Sequence, residues 1–472
     1  MMWRLSEFGE NVAVVEESGQ EISYSELNDL SEKLKGFLGA RCLVFNFCSN
    51  TLGCLLGYVT FINNKIVTLM VDNGLERDLL NNLIKTYQPK YLWLPKDKAC
   101  LFEKYETVCE IVGYCLIRTD FTCCYSLNEN LALLLTTSGS TGSFKLVRQS
   151  YKNIISNTNS IIKYLKLDSS ERSISTLPMH YTYGLSIVNT HLKVGASLVL
   201  TEKTLMQREF WKQLKDFRVT SFSGVPYTYE MLDKLRFFRM DLPYLQTMTQ
   251  AGGRLSLNLH KKFAEYALKS GKNFVVMYGQ TEATARMSYL PPEKSLEKAG
   301  SIGIAIPDGE FSLIGENLEP ITEPGIEGEL VYRGENVTLG YANCVDDLAK
   351  GDQRNGVLKT DDMAKFDEDG FYYIVGRKKR FLKIFGSRVN LDETEQLLRL
   401  KFENVDCACC GVDDRMYIFI NKQEKIDDVL KFISSKMSLH HSAFKVLHIN
   451  KIPRSESGKI LYPALEGHYD KL

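Results

Sequence analysis

The sequence carries no excess of either charge: 58 Lys and Arg face 58 Asp and Glu over 472 residues, a formal net charge of zero. A chain so balanced lacks the basic footprint by which proteins hold a nucleic-acid backbone, and no nucleic-acid partner is expected. Long apolar runs are also missing. Stretches such as Leu52 to Ile62 are too short to span a bilayer, so no membrane span is expected. The N-terminus has no basic segment followed by an apolar run and a cleavage site. Twelve cysteines are scattered through the chain, and with the missing leader they point to reduced thiols and a cytoplasmic location. In the cluster Cys407, Cys409 and Cys410 two cysteines are adjacent, which fits tetrahedral metal chelation poorly. There is no internal repeat or low-complexity segment, and nothing reads as an attached carrier or condensation domain.

What is present is a chain of 472 residues, more than one ordinary core, so two or more domains are expected. Its central feature is the run Leu131 to Val147, LALLLTTSGSTGSFKLV. The apolar half reads as a buried strand that delivers Thr136, Thr137, Ser138, Gly139, Ser140, Thr141, Gly142 and Ser143 to a sheet edge, with Lys145 just beyond. Free N–H groups and hydroxyls in such a loop can hold a phosphate. Taken alone, the same cluster is also a plain turn between periodic segments. It is not a Walker A loop, because Lys145 is not preceded by Gly.

Around this run the chain alternates. Ile22 to Leu38 opens with a Ser/Glu capping pair and sets Leu27, Leu30, Leu34 and Phe37/Leu38 on one helical face. CLVFNF, KIVTLMV and KYLWLP are short β-rich runs separated by helical stretches from Leu52 to Ile62 and from Leu75 to Tyr87. Further strand candidates lie near Ser173–Leu177, Ser197–Thr201, Thr220–Ser223 and Phe274–Met277. This order predicts an α/β fold with a doubly wound parallel sheet. After about Leu290, short Gly- and Pro-punctuated pieces (GSIGIAIPDG, GIEGELVYRG, GFYYIVGR) predict a small β subdomain. The basic cluster Gly376 to Arg380 then precedes a last segment of about 90 residues with its own strands and helices. A boundary is expected there, giving an N-terminal domain over 1–377 and a small α+β domain over 378–472.

Read in order, these pieces resemble the acyl-adenylate-forming superfamily: acyl- and aryl-CoA synthetases, adenylation domains of peptide synthetases, and luciferases. TTSGSTGSFKLV is similar to the family's phosphate loop, with Phe144 where Pro is usual and Leu146 where Gly is usual. LPMHYTYGLS resembles the segment lining the acid pocket, AGGRLS the adenine-side glycine turn, and YGQTE matches in full the motif that holds adenine, α-phosphate and Mg²⁺. GELVYRGENVTLGY resembles the sixth core motif and LKTDDM the ribose-binding segment, with Asp361 in place of the usual Gly. GRKKRFLKIFGSRVNLDETE is similar to the hinge and the strand after it. PRSESGK carries the C-terminal lysine, followed by Tyr462 where relatives often have Arg. The whole resembles a stand-alone acyl-acid ligase of bacterial type.

The resemblance implies ATP and Mg²⁺ as cofactors and assigns roles to residues. Thr137, Ser138, Gly139, Ser140, Thr141, Gly142 and Lys145 would hold the β- and γ-phosphates, and Gly252, Gly253, Arg254, Tyr278, Gly279 and Gln280 the adenine side. Thr281 would bind the α-phosphate, Glu282 the Mg²⁺, and Asp362, with Arg377, the ribose. Lys459 would place an ammonium between the attacking carboxylate and the α-phosphate, where charge concentrates. Lys379 would be the hinge of a mobile C-terminal domain, and Phe385, Gly386 and Arg388 would line a channel for a pantetheine thiol. Without the family, Ser-Gly-Lys at 457–459 is a solvated turn, Glu282 a helix N-terminal acid and Lys379 one charge on a solvated face.

His180, Tyr181, Tyr183, Gly184, Ser223 and Tyr227 form the expected acid pocket, although core packing explains the aromatic residues equally. No carboxylate occurs from Leu177 to Leu200, and Tyr181 stands where amino-acid-activating relatives place Asp. A small fatty, hydroxy or aryl acid is therefore favoured over an amino acid, because a buried ammonium needs a counter-charge. The acceptor is CoA or a free acyl carrier protein, and the short chain tilts the expectation to the carrier protein. A scaffold that kept the fold and lost catalysis is the alternative from another class.

Overall fold

The computed structural model describes residues 2–122, 125–136, 145–378, 380–385, 387–437, 439–454, 458 and 460–469. They fall into two compact units, Met1–Glu310 with Arg333–Leu358, and Phe311–Tyr332 with Lys359–Leu472. The architecture is α/β, as the alternation predicts.

In the first unit the strand Leu43–Cys48 pairs in parallel with Val67–Asp72 on one side and Tyr91–Pro95 on the other. All six of its residues are buried, which explains why LVFNFC shows no apolar–polar alternation. The helices Leu52–Asn63 and Arg77–Tyr87 make the crossovers. Eight strands form this sheet, in the order Gly340–Ala342, Leu146–Ser150, Leu131–Thr136, Val67–Asp72, Leu43–Cys48, Tyr91–Pro95, Tyr114–Arg118 and Glu106–Ile111. A second sheet of nine strands has a parallel centre, Asn273–Tyr278, Thr247–Gln250, Ser221–Gly224, Arg172–Ile174, Ser197–Val199 and Val12–Val15. Antiparallel strands close its edges.

The predicted first helix runs over Tyr24–Lys35 and is capped by Ser23 and Glu26, each side chain bonding the other's backbone N–H at 3.1 and 2.7 Å. It stops one turn earlier than the apolar stripe suggests. Gly36 ends it, and Phe37 is left 39 % exposed. The strand Thr247–Gln250 was not among the sequence candidates, since TMTQ has a single apolar residue, yet all four of its positions are buried.

Two histidines are buried in this unit. His191 donates from Nδ1 to the Ile187 carbonyl at 2.8 Å, and His260 accepts the Gly300 N–H on Nδ1 at 3.2 Å while its Nε2 faces Ser295 Oγ. Burial lowers both from 6.5 to about 4. Between those values the unfolded chain takes up the two protons and the folded chain does not, so stability is complete above pH 6.5 and falls as pH drops toward 4. Each histidine contributes up to about 3 kcal/mol of that loss. Urea midpoints should drop between pH 7 and 5, and His260→Gln should remove its share of the slope. Midpoints that stay flat across this interval would contradict the two neutral histidines.

The second unit holds most of a five-stranded antiparallel sheet, in the order Pro320–Ile321, Gly309–Ile314, Gly328–Gly334, Val357–Phe366 and Tyr372–Arg377, the expected small β subdomain. Asp361 has φ 59, a left-handed conformation that Asp tolerates better than most residues, so the departure from Gly is accommodated in place. Beyond this lie the hairpin Phe381–Ile384 and Ser387–Asn390, the helices Leu391–Lys401 and Ile426–Met437, and a sheet of Cys407–Val412, Arg415–Ile420 and Phe444–His448. Cys407 and Cys409 pack into one apolar cluster and Cys410 into another, because alternation along a strand sends residues three apart to opposite faces.

A buried ionic cluster braces this unit. Arg380 bonds Asp392 at 2.6 Å and Glu395 at 2.7 Å, and its guanidinium lies 3.6 Å over the Tyr462 ring. The Tyr462 hydroxyl in turn reaches both Glu395 oxygens at 3.1 Å. The Tyr at 462 thus serves by stacking and hydrogen bonding. Among the described residues no helix is long and apolar enough to cross a membrane.

Candidate active site

The buried strand Leu131–Thr136 and its antiparallel neighbour Leu146–Ser150 form a hairpin whose last pair is Thr136 with Leu146. Thr137, Ser138, Gly139, Ser140, Thr141 and Gly142, next in the chain, lie outside the described residues. The exit strand is held by Arg148, which is fully buried. Its nitrogens donate to the carbonyls of Leu339, Tyr341, Lys350 and Gly351 and to Gln353 Oε1. One side chain thereby fixes the segment 339–353 against the hairpin. Arg148→Met should lower unfolding stability by about 3–5 kcal/mol, because the carbonyls it leaves stay buried. An unchanged urea midpoint would remove this role.

The sequence YGQTEATAR continues the strand Asn273–Tyr278 into a loop folded back on itself. A Cβ added at Gly279 would lie 1.8 Å from the Ala285 carbonyl oxygen, so only glycine fits there. The return is a γ-turn centred on Thr284, at φ 66 and ψ −60, closed by the Ala285 N–H on the Ala283 carbonyl at 2.8 Å. A β-branched residue in this conformation is strained and persists only where its surroundings over-determine it. Here they do. Thr182 Oγ1 and Gln149 donate to the Thr284 carbonyl, Thr284 Oγ1 donates to Asn336 O at 2.7 Å, and Asn157 donates to Arg286 O at 2.8 Å.

Inside this loop sit Thr281 and Glu282, both half-buried. The Tyr341 hydroxyl donates to Glu282 Oε1 at 2.8 Å. Glu282's other oxygen accepts no hydrogen bond among the described residues. The Lys145 ammonium lies 3.4 Å from the Tyr341 ring centroid and the Arg354 guanidinium 4.6 Å from it. Arg354 also donates to the Glu282 carbonyl at 2.8 Å. Burial first, then the Glu282 carboxylate, pushes the Tyr341 phenol up to about 12, so it stays a donor at neutral pH. A carboxylate anchored at one oxygen with the other open is a donor that fits Mg²⁺ bound together with substrate phosphates. Among the described residues no group of three or more His, Cys, Asp or Glu could hold a metal by itself.

The remaining expected residues lie on other segments of the first unit or in the second unit. Gly252, at φ 84, has no room for a Cβ, which would meet the Tyr181 hydroxyl oxygen at 2.5 Å. Gly253 takes a bond from Gln250 Nε2 at 3.0 Å, and Arg254 is exposed. Tyr278 and Gln280 are joined at 3.3 Å. Tyr183 bonds Thr249 Oγ1 at 2.8 Å, and Thr249 bonds Ser223 at 2.7 Å, which brings two of the expected pocket residues together. Gly184 packs where a Cβ would touch the Pro178 carbonyl at 2.4 Å. His180 is half-buried, while Tyr227 is 52 % exposed. In the second unit Asp362 is buried and pairs with Arg377 Nε at 3.1 Å. Phe385, 56 % exposed at φ 49, follows the strand Phe381–Ile384, and Arg388 lies on the strand Ser387–Asn390. Lys379, Gly386 and Lys459 lie outside the described residues.

Sequence reasoning missed Tyr341, Arg354, Thr249, Arg148 and Arg286. Tyr341 closes the stretch GELVYRGENVTLGY, so a signal was present for it; the others become visible only once the chain is folded.

Two sheets with parallel strands and crossover helices, and a pinned loop that carries Glu282, make this an α/β fold. Residues 2–342 match the family model described as AMP-binding enzyme, and the chain belongs to that family. It is 28 % identical over 351 residues to an oxalate–CoA ligase of Saccharomyces cerevisiae and 30 % over 357 residues to a probable 4-coumarate–CoA ligase of Dictyostelium discoideum. Each match covers 71 % of this chain but only 63 % and 62 % of the relative's length. The structure of ATP-bound MatB from Rhodopseudomonas palustris superposes with a TM-score of 0.78 at 21 % identity, covering 99 % of both chains, and shares the fold.

Proposed function

We propose that the protein activates a carboxylic acid with ATP and passes the acyl group to a thiol. The observation that carries this reading is the Glu282 carboxylate, anchored by Tyr341 with one oxygen left open, on a strained loop fastened from four directions. A carboxylate resists substitution because it is anionic and would have to expel oxide. Attack of its oxygen on the α-phosphorus of ATP breaks the bond to the β-phosphate, giving acyl-AMP and pyrophosphate. Two anions must then approach in a pocket poor in water, and the residues present serve to lower that repulsion.

In this reading the loop 137–143 and Lys145 hold the departing phosphates, Thr281 holds the α-phosphate, and Glu282 holds Mg²⁺, which neutralises phosphate charge when bound. Gly252 to Arg254 and Tyr278 to Gln280 take the adenine side, and Asp362 accepts the ribose hydroxyls, with Arg377 orienting it. Lys459 stabilises the charge shared by the attacking carboxylate and the α-phosphate. After adenylation the domain 378–472 turns about Lys379, and the hairpin with Phe385, Gly386 and Arg388 guides the thiol to the acyl carbon, where it displaces AMP. Relatives named as CoA ligases support CoA as the acceptor; the carrier-protein expectation rested on chain length alone. Their names pair one dicarboxylic acid, oxalate, with one monocarboxylic acid, 4-coumarate, and so do not choose the substrate. Scattered free cysteines support a reducing compartment such as the cytoplasm.

The test is carboxylate-dependent exchange of labelled pyrophosphate into ATP over a panel of fatty, hydroxy, aryl and amino acids. Exchange with one class supports adenylation. Folded protein that binds ATP and exchanges with no acid would favour the scaffold alternative.

A further inference from the structure

Two arginines of the first unit are buried, and they are treated in opposite ways. Arg148 has five acceptors. Arg286, only 3 % exposed, uses Nη1 alone, on the Tyr164 hydroxyl and the Met277 sulfur, both at 3.2 Å. Its buried Nε has no partner, and Nη2 makes no hydrogen bond among the described residues. No carboxylate pairs with it among the described residues. The undescribed residues of its unit, Met1, Cys123, Cys124 and 137–144, include no Asp or Glu that could do so. A buried guanidinium without an anion is unfavourable, which makes Arg286 a candidate partner for an anion supplied from outside.

The open edge has a definite shape. Nε–H and Nη2–H point in parallel, the fork that matches the two oxygens of a carboxylate. The guanidinium lies 5.0 Å over the ring of Tyr183, whose hydroxyl is joined through Thr249 to Ser223. These are two of the residues expected to line the acid pocket, and Arg286 stands four residues beyond Glu282 on the same pinned loop. We infer that Arg286 receives a second carboxylate of the substrate, so that the acid activated here is a dicarboxylic acid. This rests on the adenylation reading. One carboxylate is activated on the α-phosphorus, and the other stays ionised in the Arg286 fork, where it sets the length and orientation of the acid.

The test pairs dicarboxylates with monocarboxylates of equal carbon count: malonate with propionate, succinate with butyrate, glutarate with valerate, adipate with hexanoate and phthalate with benzoate. Each is measured by pyrophosphate exchange and by direct calorimetric titration, on the wild-type protein and on Arg286→Met and Arg286→Lys. At least one dicarboxylate should exceed its monocarboxylate partner by ~10-fold or more in both assays. Arg286→Met should lose that dicarboxylate by about 100-fold while keeping ATP binding, and Arg286→Lys should recover part of the loss. Exchange in which monocarboxylates equal or exceed their partners overturns the inference and leaves adenylation standing. An equal loss on both members of a pair in Arg286→Met also overturns it. Dicarboxylate titration that is tight and Arg286-dependent, without any exchange, keeps the second carboxylate site and refutes adenylation. Neither exchange nor titration overturns both, and the wild-type selectivity decides even where a variant fails to fold.

Discussion

Lys459→Ala should lower acyl-AMP formation by roughly 200- to 1000-fold, about 3–4 kcal/mol of transition-state stabilisation, while leaving thioester formation from supplied acyl-AMP near its original rate. The asymmetry follows from charge. In the first half-reaction an anionic carboxylate meets an anionic phosphate, and an ammonium between them is worth most at the transition state, when the new bond draws both charges together. In the second half-reaction acyl-AMP is already formed and AMP is the leaving group, and the lysine is not proposed to serve the charge that develops on the thiol, the acyl oxygen and the departing phosphate. Pyrophosphate exchange reads the first step, and AMP release from synthetic acyl-AMP and thiol reads the second. Equal losses in both would end the assignment.

Glu282→Gln should be the next most damaging change. The amide oxygen still accepts from Tyr341, so the loop held by Thr182, Gln149, Asn336 and Asn157 keeps its anchor and the urea midpoint should stay unchanged. What is lost is the charge. Exchange should fall by about 100-fold, and the Mg²⁺ concentration for half-maximal activity should rise, since a neutral amide oxygen is a poorer ligand for a hard dication. A variant with lowered exchange and an unaltered Mg²⁺ requirement would mean that Glu282 acts through the loop's shape and not through the metal.

How much of this could be read from the letters depends on what each segment asks of its neighbours. The strands Leu43–Cys48, Val67–Asp72 and Tyr91–Pro95 and the helices between them were legible because their burial is written as uninterrupted apolar runs and helical stripes. The edge strand Glu106–Ile111 was not, since its exposed Glu106, Thr107 and Glu110 look like loop residues until a partner strand supplies the hydrogen bonds. Thr247–Gln250 is a polar segment made into a strand by two flanking parallel partners. The candidate site was legible where chemistry concentrates in short motifs, as in YGQTE, and illegible where it depends on distance. Arginine is read by default as solvated, and only the fold reveals that Arg148 and Arg286 are interior cations with opposite surroundings.

The Arg148 clamp also bears on which substitutions this region can absorb. Four of its five acceptors are main-chain carbonyls, at Leu339, Tyr341, Lys350 and Gly351, and every amino acid offers the same carbonyl. The path of the segment is therefore held at four points by one side chain on the neighbouring strand, whatever residues stand at those points, while Gly340, at φ 119, is a position where the segment's own residue matters, since a Cβ there would lie 2.7 Å from Gln353 Oε1. Lys350 can drift in a lineage without moving Tyr341 from Glu282. Arg148 cannot, and neither can Gln353, the one acceptor that is itself a side chain.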